Sequence, residues 1–416
     1  MRILFIAQNF QPEPNFFFGL PFARELQRRG HQVQVITGFP NYPSGKIYDG
    51  YRIRPIQKEI MAGVSVYRFP LYPSHDRSSI KRILCYCSLA LSLALLAPFF
   101  VKRADIAFVV QGPATIGLPA IIMKWLRSIP FVYNIQDLWP DSLLSTGMFN
   151  SKVGLKLVHE WCNFTYRQAS KITVISPGVK QRLIERGVPE NKVDVLYNWC
   201  DDELICRDEP DAQLARNLNL AGKFNIIFAG NIGAAQALDA VFEAAALIEP
   251  RYPNIQFVFI GGGTDVERLK SLAEEKKITN VLFLPRMPIE DIGNVLRLAD
   301  VLLVHLRRDP LFEITIPSKT QAYMASGRPI VMAVEGDAAG LVSRAQAGIP
   351  CEPQNPGSIA FAVKRLYMMA REEREQFGIN GRNFYERELS FKPAVRRYEK
   401  IFSTLMAPVQ KPSGGN

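Results

Sequence analysis

Cysteine and histidine are scarce in this chain, with six and four in 416 residues. Cys85, Cys87, Cys162, Cys200, Cys206 and Cys351 include no CxxC pair, and no histidine stands at zinc-ligand spacing from them. A disulfide scaffold and a zinc module are therefore excluded, and reduced, buried thiols are expected. There is no GxGxxG fingerprint and no P-loop, which removes the support for a dinucleotide-dependent dehydrogenase or an ATPase. No zinc finger, RNA-recognition signature or basic-aromatic repeat is visible, and the basic residues are scattered instead of striped along one helix. Nucleic acid is not the expected partner. Met1-Arg-Ile-Leu-Phe-Ile-Ala7 reads directly as a strand, without the longer apolar stretch and small-residue cleavage site of a signal peptide, so a cytoplasmic protein is expected.

What is present is a hydrophobic chain, 48% apolar, long enough for two domains that each bury a core. Charge divides unevenly: 24 basic and 12 acidic residues lie up to Cys200, against 26 and 27 beyond it. The positive excess of the first half calls for an anionic partner, and a membrane surface is favoured. The segment Ile83–Val101 carries no charge and lies between Arg77, Lys81 and Arg82 on one side and Lys102 and Arg103 on the other. Its length would span a bilayer, but Pro98, Tyr86, two serines and two cysteines weaken that reading. The expectation is a helix lying in the cytoplasmic leaflet with its flanking cations on anionic headgroups. A helix packed in the core, or a spanning one, stays open.

Apolar strands alternate with helical stretches along the first half: Ile3–Ala7, Gln32–Thr37, Val64–Phe69, Ile106–Val110, Phe131–Ile135 and Ile172–Ile175. A second series runs through Asn225–Ala229, Ile255–Ile260, Val281–Leu284, Val301–Leu306 and Pro329–Ala333. Such alternation predicts two α/β, doubly wound, Rossmann-like domains. The expected division is a first domain over 1–200 with the membrane-associated segment 83–101, a polar, helix-poor linker over 201–222, a second domain over 223–390, and a C-terminal helix and loose tail over 391–416. In the second domain, Ile316–Val331 reads as a strand-to-helix turn, with Pro317 at a first helical position, Gly327 ending the helix and Pro329 opening a strand. The amides of Ser318, Lys319 and Thr320 would then point beyond the strand's carboxyl end, where an anion is favoured. Gly261-Gly-Gly263 predicts a close backbone approach, to a ligand or within a tight turn.

Several short stretches occur in one order: Arg29-Gly-His31 through Pro43, Gln136-Asp-Leu-Trp-Pro-Asp141, Ser176-Pro-Gly178, Tyr197-Asn-Trp199, Phe228-Ala-Gly-Asn-Ile-Gly233 and Pro317-Ser-Lys319. Over nearly its whole length the chain thereby resembles the retaining glycosyltransferases of GT-B fold, family four. The nearest branch is the bacterial one that builds O-antigen, capsule and exopolysaccharide, including N-acetylfucosaminyltransferases. The resemblance implies two Rossmann-like domains facing a central cleft. It implies transfer of a sugar, by family weight an N-acetylated deoxy-hexosamine on a UDP-linked donor, to a polyprenyl-diphosphate-linked saccharide in lipopolysaccharide or related biosynthesis. No cofactor and no metal are implied, and no Asp-x-Asp pair follows an apolar strand convincingly. A soluble transferase or epimerase of the same fold, or a non-catalytic nucleotide-sugar or lipid-binding module, remains compatible with the sequence.

Carried onto this chain, the resemblance places the donor diphosphate against Gly19 of Phe16-Phe-Phe-Gly19 and against Ser318, Lys319 and Thr320. The usual Gly-Arg and Lys-Gly cations are replaced by Gly230-Asn231 and Gln236-Ala237. Two charge-assisted bonds are thus missing, and Lys319 with Arg286 must carry more of the anion. Arg286 aligns with the nucleobase turn. The two-glutamate motif falls on Ile314 and Ala322, so Glu313 beside the sugar and Gln321 at the ribose are the candidates one residue away. Asp137 is the candidate that orients or deprotonates the acceptor, His75 the candidate on the acceptor side, and His305 is either close to the donor or packed.

Overall fold

Apolar runs too short for a helix and too continuous for an amphipathic strand become central strands of two parallel sheets. The computed structural model describes residues 1–14, 17–75, 78–145, 151–205 and 211–407. Phe16, Asp76, Arg77, Cys206, the Arg207-Asp-Glu-Pro run and the tail around Gly414 lie outside the described residues. The chain forms two units. Unit 1 comprises Met1–Ile175, Val179–Leu196 and the residues from Val395 onward, and unit 2 comprises Ser176–Gly178 and Tyr197–Ala394.

The first sheet contains β1 (Arg2–Ala7), β2 (Gln32–Gly38), β3 (Gln57–Met61), β4 (Val64–Phe69), β5 (Ile106–Gln111), β6 (Phe131–Ile135), β7 (Lys171–Val174) and β8 (Val193–Val195). Its order is β3-β4-β2-β1-β5-β6-β7-β8, parallel throughout except for the antiparallel β3–β4 pair. The helices along this part are α1 (Leu20–Arg28), α2 (Ser79–Phe100), α3 (Gly117–Arg127), α4 (Asp141–Ser145), α5 (Lys152–Gln168) and α6 (Pro177–Glu185). The direction of winding reverses between β1 and β5, and ligands of open α/β sheets bind beyond the strand ends at such a point.

The second sheet contains β9 (Phe224–Ala229), β10 (Ile255–Ile260), β11 (Val281–Leu284), β12 (Val301–His305), β13 (Ile330–Ala333) and β14 (Gly348–Pro350), ordered β11-β10-β9-β12-β13-β14. Here the reversal lies between β9 and β12. The accompanying helices are α7 (Asp202–Ile205), α8 (Ala212–Asn217), α9 (Asp239–Ile248), α10 (Val266–Glu275), α11 (Ile289–Leu296), α12 (Pro310–Glu313), α13 (Lys319–Ser326), α14 (Asp337–Ala345), α15 (Pro356–Met368), α16 (Arg371–Phe384) and α17 (Phe391–Met406).

Three expectations change. The stretch read as a helix-poor linker holds α7 and α8, and Ile205 and Leu220 join the core of unit 2 beside Leu296 and Leu302. The C-terminal helix is not an appendage: from Val395 it belongs to unit 1. There Tyr398 meets Phe108, Phe18 and Phe22 edge-on at 5.1, 5.4 and 5.5 Å, and Asn134 Nδ2 donates to its hydroxyl at 2.9 Å. The uncharged segment is the body of α2. One face packs through Cys85, Leu89, Leu93 and Ala97, while Ile80, Leu84, Leu91, Leu95 and Phe99 face outward, Leu95 and Phe99 at 67% and 81% exposure. One face of the helix is thus core and the other is exposed.

Removing the Tyr398 ring empties an aromatic cluster that neighbouring rings cannot refill. Tyr398→Ala is expected to cost about 3–5 kcal/mol, read by urea unfolding; a loss under about 1 kcal/mol would contradict this packing.

Candidate active site

Unit 2 concentrates its chemistry where β9 and β12 end. Tyr323 of α13 is buried, and its hydroxyl accepts from Ala229 N at 2.8 Å, which ties the helix to the last residue of β9. Lys319, the first residue of α13, is thereby set under Gly230, where an added Cβ would stand 3.3 Å from Nζ. Gly230 adopts φ +137°, a conformation that glycine accepts readily. The Gly261-Gly-Gly263 turn serves backbone packing: a Cβ at Gly261 would come within 2.0 Å of Gly230 O, and one at Gly263 within 2.0 Å of Ile232 O. These glycines let the ends of β9 and β10 close on one another.

Lys319 as a residue is half-buried, yet its Nζ has no accessible surface and no hydrogen-bond partner. The ammonium rests on the face of Phe228, 3.5 Å from the ring centroid, a contact worth about 2 kcal/mol when desolvated. That offsets only part of the cost of burying an ion. Desolvation pulls the Lys319 pKa down to about 7.

The helix start differs from expectation. α13 begins at Lys319, with Ser318 as its preceding cap residue and Pro317 one further out. The Thr320 amide donates to Pro317 O at 2.9 Å, which leaves the amides of Ser318 and Lys319 open to an anion. Gln321 does not serve a ribose: it is buried, and its amide nitrogen lies 3.0 Å from Ser318 O and 3.1 Å from Pro317 O, so it closes the first turn of its own helix. Asn231 and Gln236 also face one another, Asn231 Nδ2 donating to Gln236 Oε1 at 3.2 Å and Gly233 N to the same oxygen at 3.1 Å. His305 is packed, not displayed. Its Nδ1–H donates to Gln236 O at 2.6 Å and its Nε2 accepts from Gln354 N at 3.0 Å, and burial lowers its pKa to about 4. This neutral ring fixes the turn that carries Gln236. Glu313 is exposed on α12, its carbonyl pressed against Gly336. Arg286 is exposed at the end of β11, two strands from β9.

In unit 1, Gly19 precedes α1, but the place beside it is taken: Gln11 Oε1 accepts from Leu20 N at 2.6 Å, and a Cβ at Gly19 would strike the Gln11 amide. Phe18 is core. Asp137 follows β6 and keeps solvent access, while the protein packed around it raises its carboxyl pKa. His75 is exposed and meets the Tyr42 ring edge-on at 4.7 Å.

Two residues not anticipated from the sequence shape these loops. Glu13 is buried and accepts from the amides of Asn41 and Tyr42, both at 2.8 Å, and of Phe10 at 3.3 Å; burial raises its pKa. Arg68, with no exposure, donates to Glu59, Gly38 O and Gln11 O. The Pro12-Glu13-Pro14 run was the only available hint.

Two doubly wound units, the second with an anion-ready helix start, are the architecture of the GT-B glycosyltransferases. A glycosyl transferase 4-like domain matches residues 20–199 and a glycosyl transferases group 1 domain matches residues 211–384, so the chain carries the two domains of a GT-B glycosyltransferase. It is 26% identical over 415 residues, 96% of this chain and 98% of the relative, to the putative colanic acid biosynthesis glycosyl transferase WcaI of Escherichia coli K12. Among solved structures it resembles the E. coli trehalose-6-phosphate protein bound with UDP-2-fluoro glucose, with TM-score 0.71, 14% identity and coverage of 98% and 100%. It also resembles Anabaena HepE in complex with UDP, with TM-score 0.69, 16% identity and coverage of 97% and 100%. At these identities the structures attest the fold.

Because the folded-state pKa of Lys319 lies below the ordinary lysine value, its positive charge is fully present only below about pH 7 and is lost as pH rises through that value. Anion affinity should follow it, weakening by up to about tenfold per pH unit above the pKa until the complex itself titrates. Titration calorimetry with nucleoside diphosphates between pH 6 and 9 reads this slope. Lys319→Ala should weaken binding and flatten the profile; a flat profile in the wild type would refute the assignment.

Proposed function

We propose that this protein moves a sugar, an N-acetylated deoxy-hexosamine, from a UDP-linked donor to a polyprenyl-diphosphate-linked saccharide, with retention of configuration and no bound metal. The work takes place at the inner face of the cell membrane during surface polysaccharide assembly. The observation that carries this reading is the unpartnered Lys319 ammonium at the start of α13. A diphosphate leaving group supplies the counter-charge, and stabilising that charge is the main electrostatic demand of the reaction. The ammonium and the open amides of Ser318 and Lys319 do the neutralising that a divalent cation does in metal-dependent transferases. The likeness to a protein named for colanic acid biosynthesis supports the polysaccharide setting.

On the acceptor side, Asp137 takes the role of orienting the incoming hydroxyl. Its raised pKa makes it a better proton acceptor than an ordinary carboxylate. His75 flanks the acceptor, Glu313 the donor sugar and Arg286 the base. Retention fits a leaving phosphate that accepts the proton on the face it departs from.

The bare face of α2 supports membrane contact. Ile80, Leu84, Leu91, Leu95 and Phe99 form one stripe along the helix, with Lys81 and Arg82 at one end and Lys102 and Arg103 at the other. α2 is the one candidate span among the described residues, 39% buried. A single stripe bared on a helix otherwise packed in the domain fits the interfacial position, with cations on anionic headgroups.

Two outcomes test the reading. With a panel of nucleotide sugars and a lipid-linked saccharide, Asp137→Asn should lower kcat about 10²–10⁴-fold while donor affinity stays unchanged; loss of donor affinity instead would remove Asp137 from the acceptor role. In flotation with phosphatidylglycerol-containing vesicles, the wild type should rise with the lipid and Leu91→Glu/Leu95→Glu should stay behind. A wild type that ignores vesicles at low salt would refute membrane contact.

A further inference from the structure

The bare stripe of α2 continues onto two neighbouring helices. The connections β4–α2–β5, β5–α3–β6 and β6–α5–β7 all advance in one direction along the first sheet, so right-handed crossovers put α2, α3 and α5 on one of its faces. α1, which connects β1 to β2 in the opposite direction, lies on the other face with α17, where Phe22 and Tyr398 meet at 5.5 Å. Side-chain bonds hold the three helices side by side, with α3 in the middle. Arg127 at the end of α3 donates to Pro98 O at 2.9 Å and to Val101 O at 2.8 Å, at the end of α2. Lys124 donates to Gln168 O at 2.7 Å, at the end of α5, and the Trp125 ring meets Phe164 of α5 at 6.2 Å. Just ahead of α3, Thr115 Oγ1 donates to Tyr86 O at 3.3 Å, and Ala114 O accepts from Trp161 Nε1 at 2.9 Å.

The outer side of this layer is apolar on every helix. Trp125 and Leu126 of α3 are 57% and 66% exposed, and Val153 and Leu157, one turn apart on α5, are exposed as well. No large apolar side chain of α1 or α17 is exposed, so the bareness belongs to one helical layer and not to both. Monomeric soluble proteins seldom leave so wide an apolar face uncovered. Charge decides what covers it. Residues 79–103, 117–127 and 152–168 hold four, two and three basic side chains and a single acidic one, Glu160. A second copy docking face to face would set these cations against their own kind, whereas anionic headgroups complement them. Trp125 suits the boundary between headgroups and acyl chains, an exposed ring whose Nε1 donates to Gln168 Oε1 at 3.4 Å. We infer that the bilayer-binding surface of this protein is the whole α2–α3–α5 face, with Trp125, Leu126, Val153 and Leu157 entering the membrane beside the α2 stripe. Unit 1 then lies with its first sheet along the bilayer, held by three helices instead of one. Asp137 opens the connection from β6 to α5 and so stands at the rim of this face, within reach of a saccharide whose lipid stays in the membrane. This inference rests on the membrane contact proposed above and extends it to two helices that are not themselves candidate spans.

Partition of the full-length protein onto vesicles of mixed phosphatidylglycerol and phosphatidylcholine, at low salt, tests it. Trp125→Ala/Leu126→Glu in α3 and Val153→Glu/Leu157→Glu in α5 should each weaken partition about tenfold, as Leu91→Glu/Leu95→Glu does in α2. Lys152→Glu/Lys156→Glu, at two exposed positions, removes no apolar contact and should also weaken partition about tenfold. Phe361→Glu, at an exposed apolar position in unit 2, should partition like the wild type. Each variant should keep the nucleoside diphosphate affinity and the urea midpoint of the wild type, which separates a lost surface from a lost fold. If the α3 and α5 variants partition like the wild type while the α2 variant stays behind, the surface is α2 alone, and this inference fails with the membrane contact intact. A wild type that ignores vesicles removes both together. A lipid-free dimer in sedimentation equilibrium that Leu157→Glu dissociates would give the face to a second copy and equally overturn the assignment.

Discussion

A positive charge without a partner organises unit 2. Lys319 Nζ has only the face of Phe228 for company, and keeping an ion in so dry a place requires that nothing nearby relax to solvate it. The surrounding structure meets that demand. Tyr323 bolts α13 to the end of β9, Gly261 and Gly263 let the ends of β9 and β10 come into backbone contact, and the neutral ring of His305 pins the turn that carries Gln236. Preorganisation of this kind raises the value of each interaction that a bound anion makes, because the protein need not rearrange when charge develops on the leaving group. The polar residues beside it that could share the task, Asn231 and Gln236, are neutral and bond to one another. Concentrating it in one buried lysine makes the site depend on that lysine's protonation.

Unit 1 uses charge differently. Arg68 and Glu13 are both buried, but each is satisfied by carbonyls, amides or a carboxylate from segments distant in sequence. Their bonds fix the loops after β1 and β2 and thereby the surroundings of Tyr42 and His75. Satisfied charges of this kind specify a shape and leave nothing for a ligand.

How far the sequence could be read follows the same physics. The central strands were readable because a strand buried on both faces is rich in apolar residues: Val64–Phe69, Phe131–Ile135 and Ile255–Ile260 are observed as expected. The strands that escaped notice are β3, β8 and β14, short and lying at sheet edges, where half-exposed residues such as those of Gln57–Met61 carry no apolar signature. The strand-to-helix turn in the Ile316–Val331 stretch was visible in its proline, serine and lysine. Its exact start was not, because Thr320 and Gln321 bond back to Pro317 and Ser318, a local choice that spacing does not reveal. Gly19 kept the expected residue type, yet Gln11, eight positions earlier, occupies the place beside it. α2 is apolar on every side, so only the packed structure could tell which face is covered.

The path of α17 bears on how the molecule is made. The aromatic centre of unit 1 draws Phe18, Phe22 and Phe108 from early in the chain and Tyr398 and Phe402 from its last helix, and Glu399 bonds His31 and Arg29 beside them. During synthesis the ribosome releases residues in order, so the first unit waits with its core open while the whole of unit 2 emerges and folds. Unit 2, contiguous but for Ser176–Gly178, has no such wait. The half of the protein translated first is therefore the half completed last, and an interrupted translation product ending in unit 2 would expose the ring cluster that the final helix is there to close.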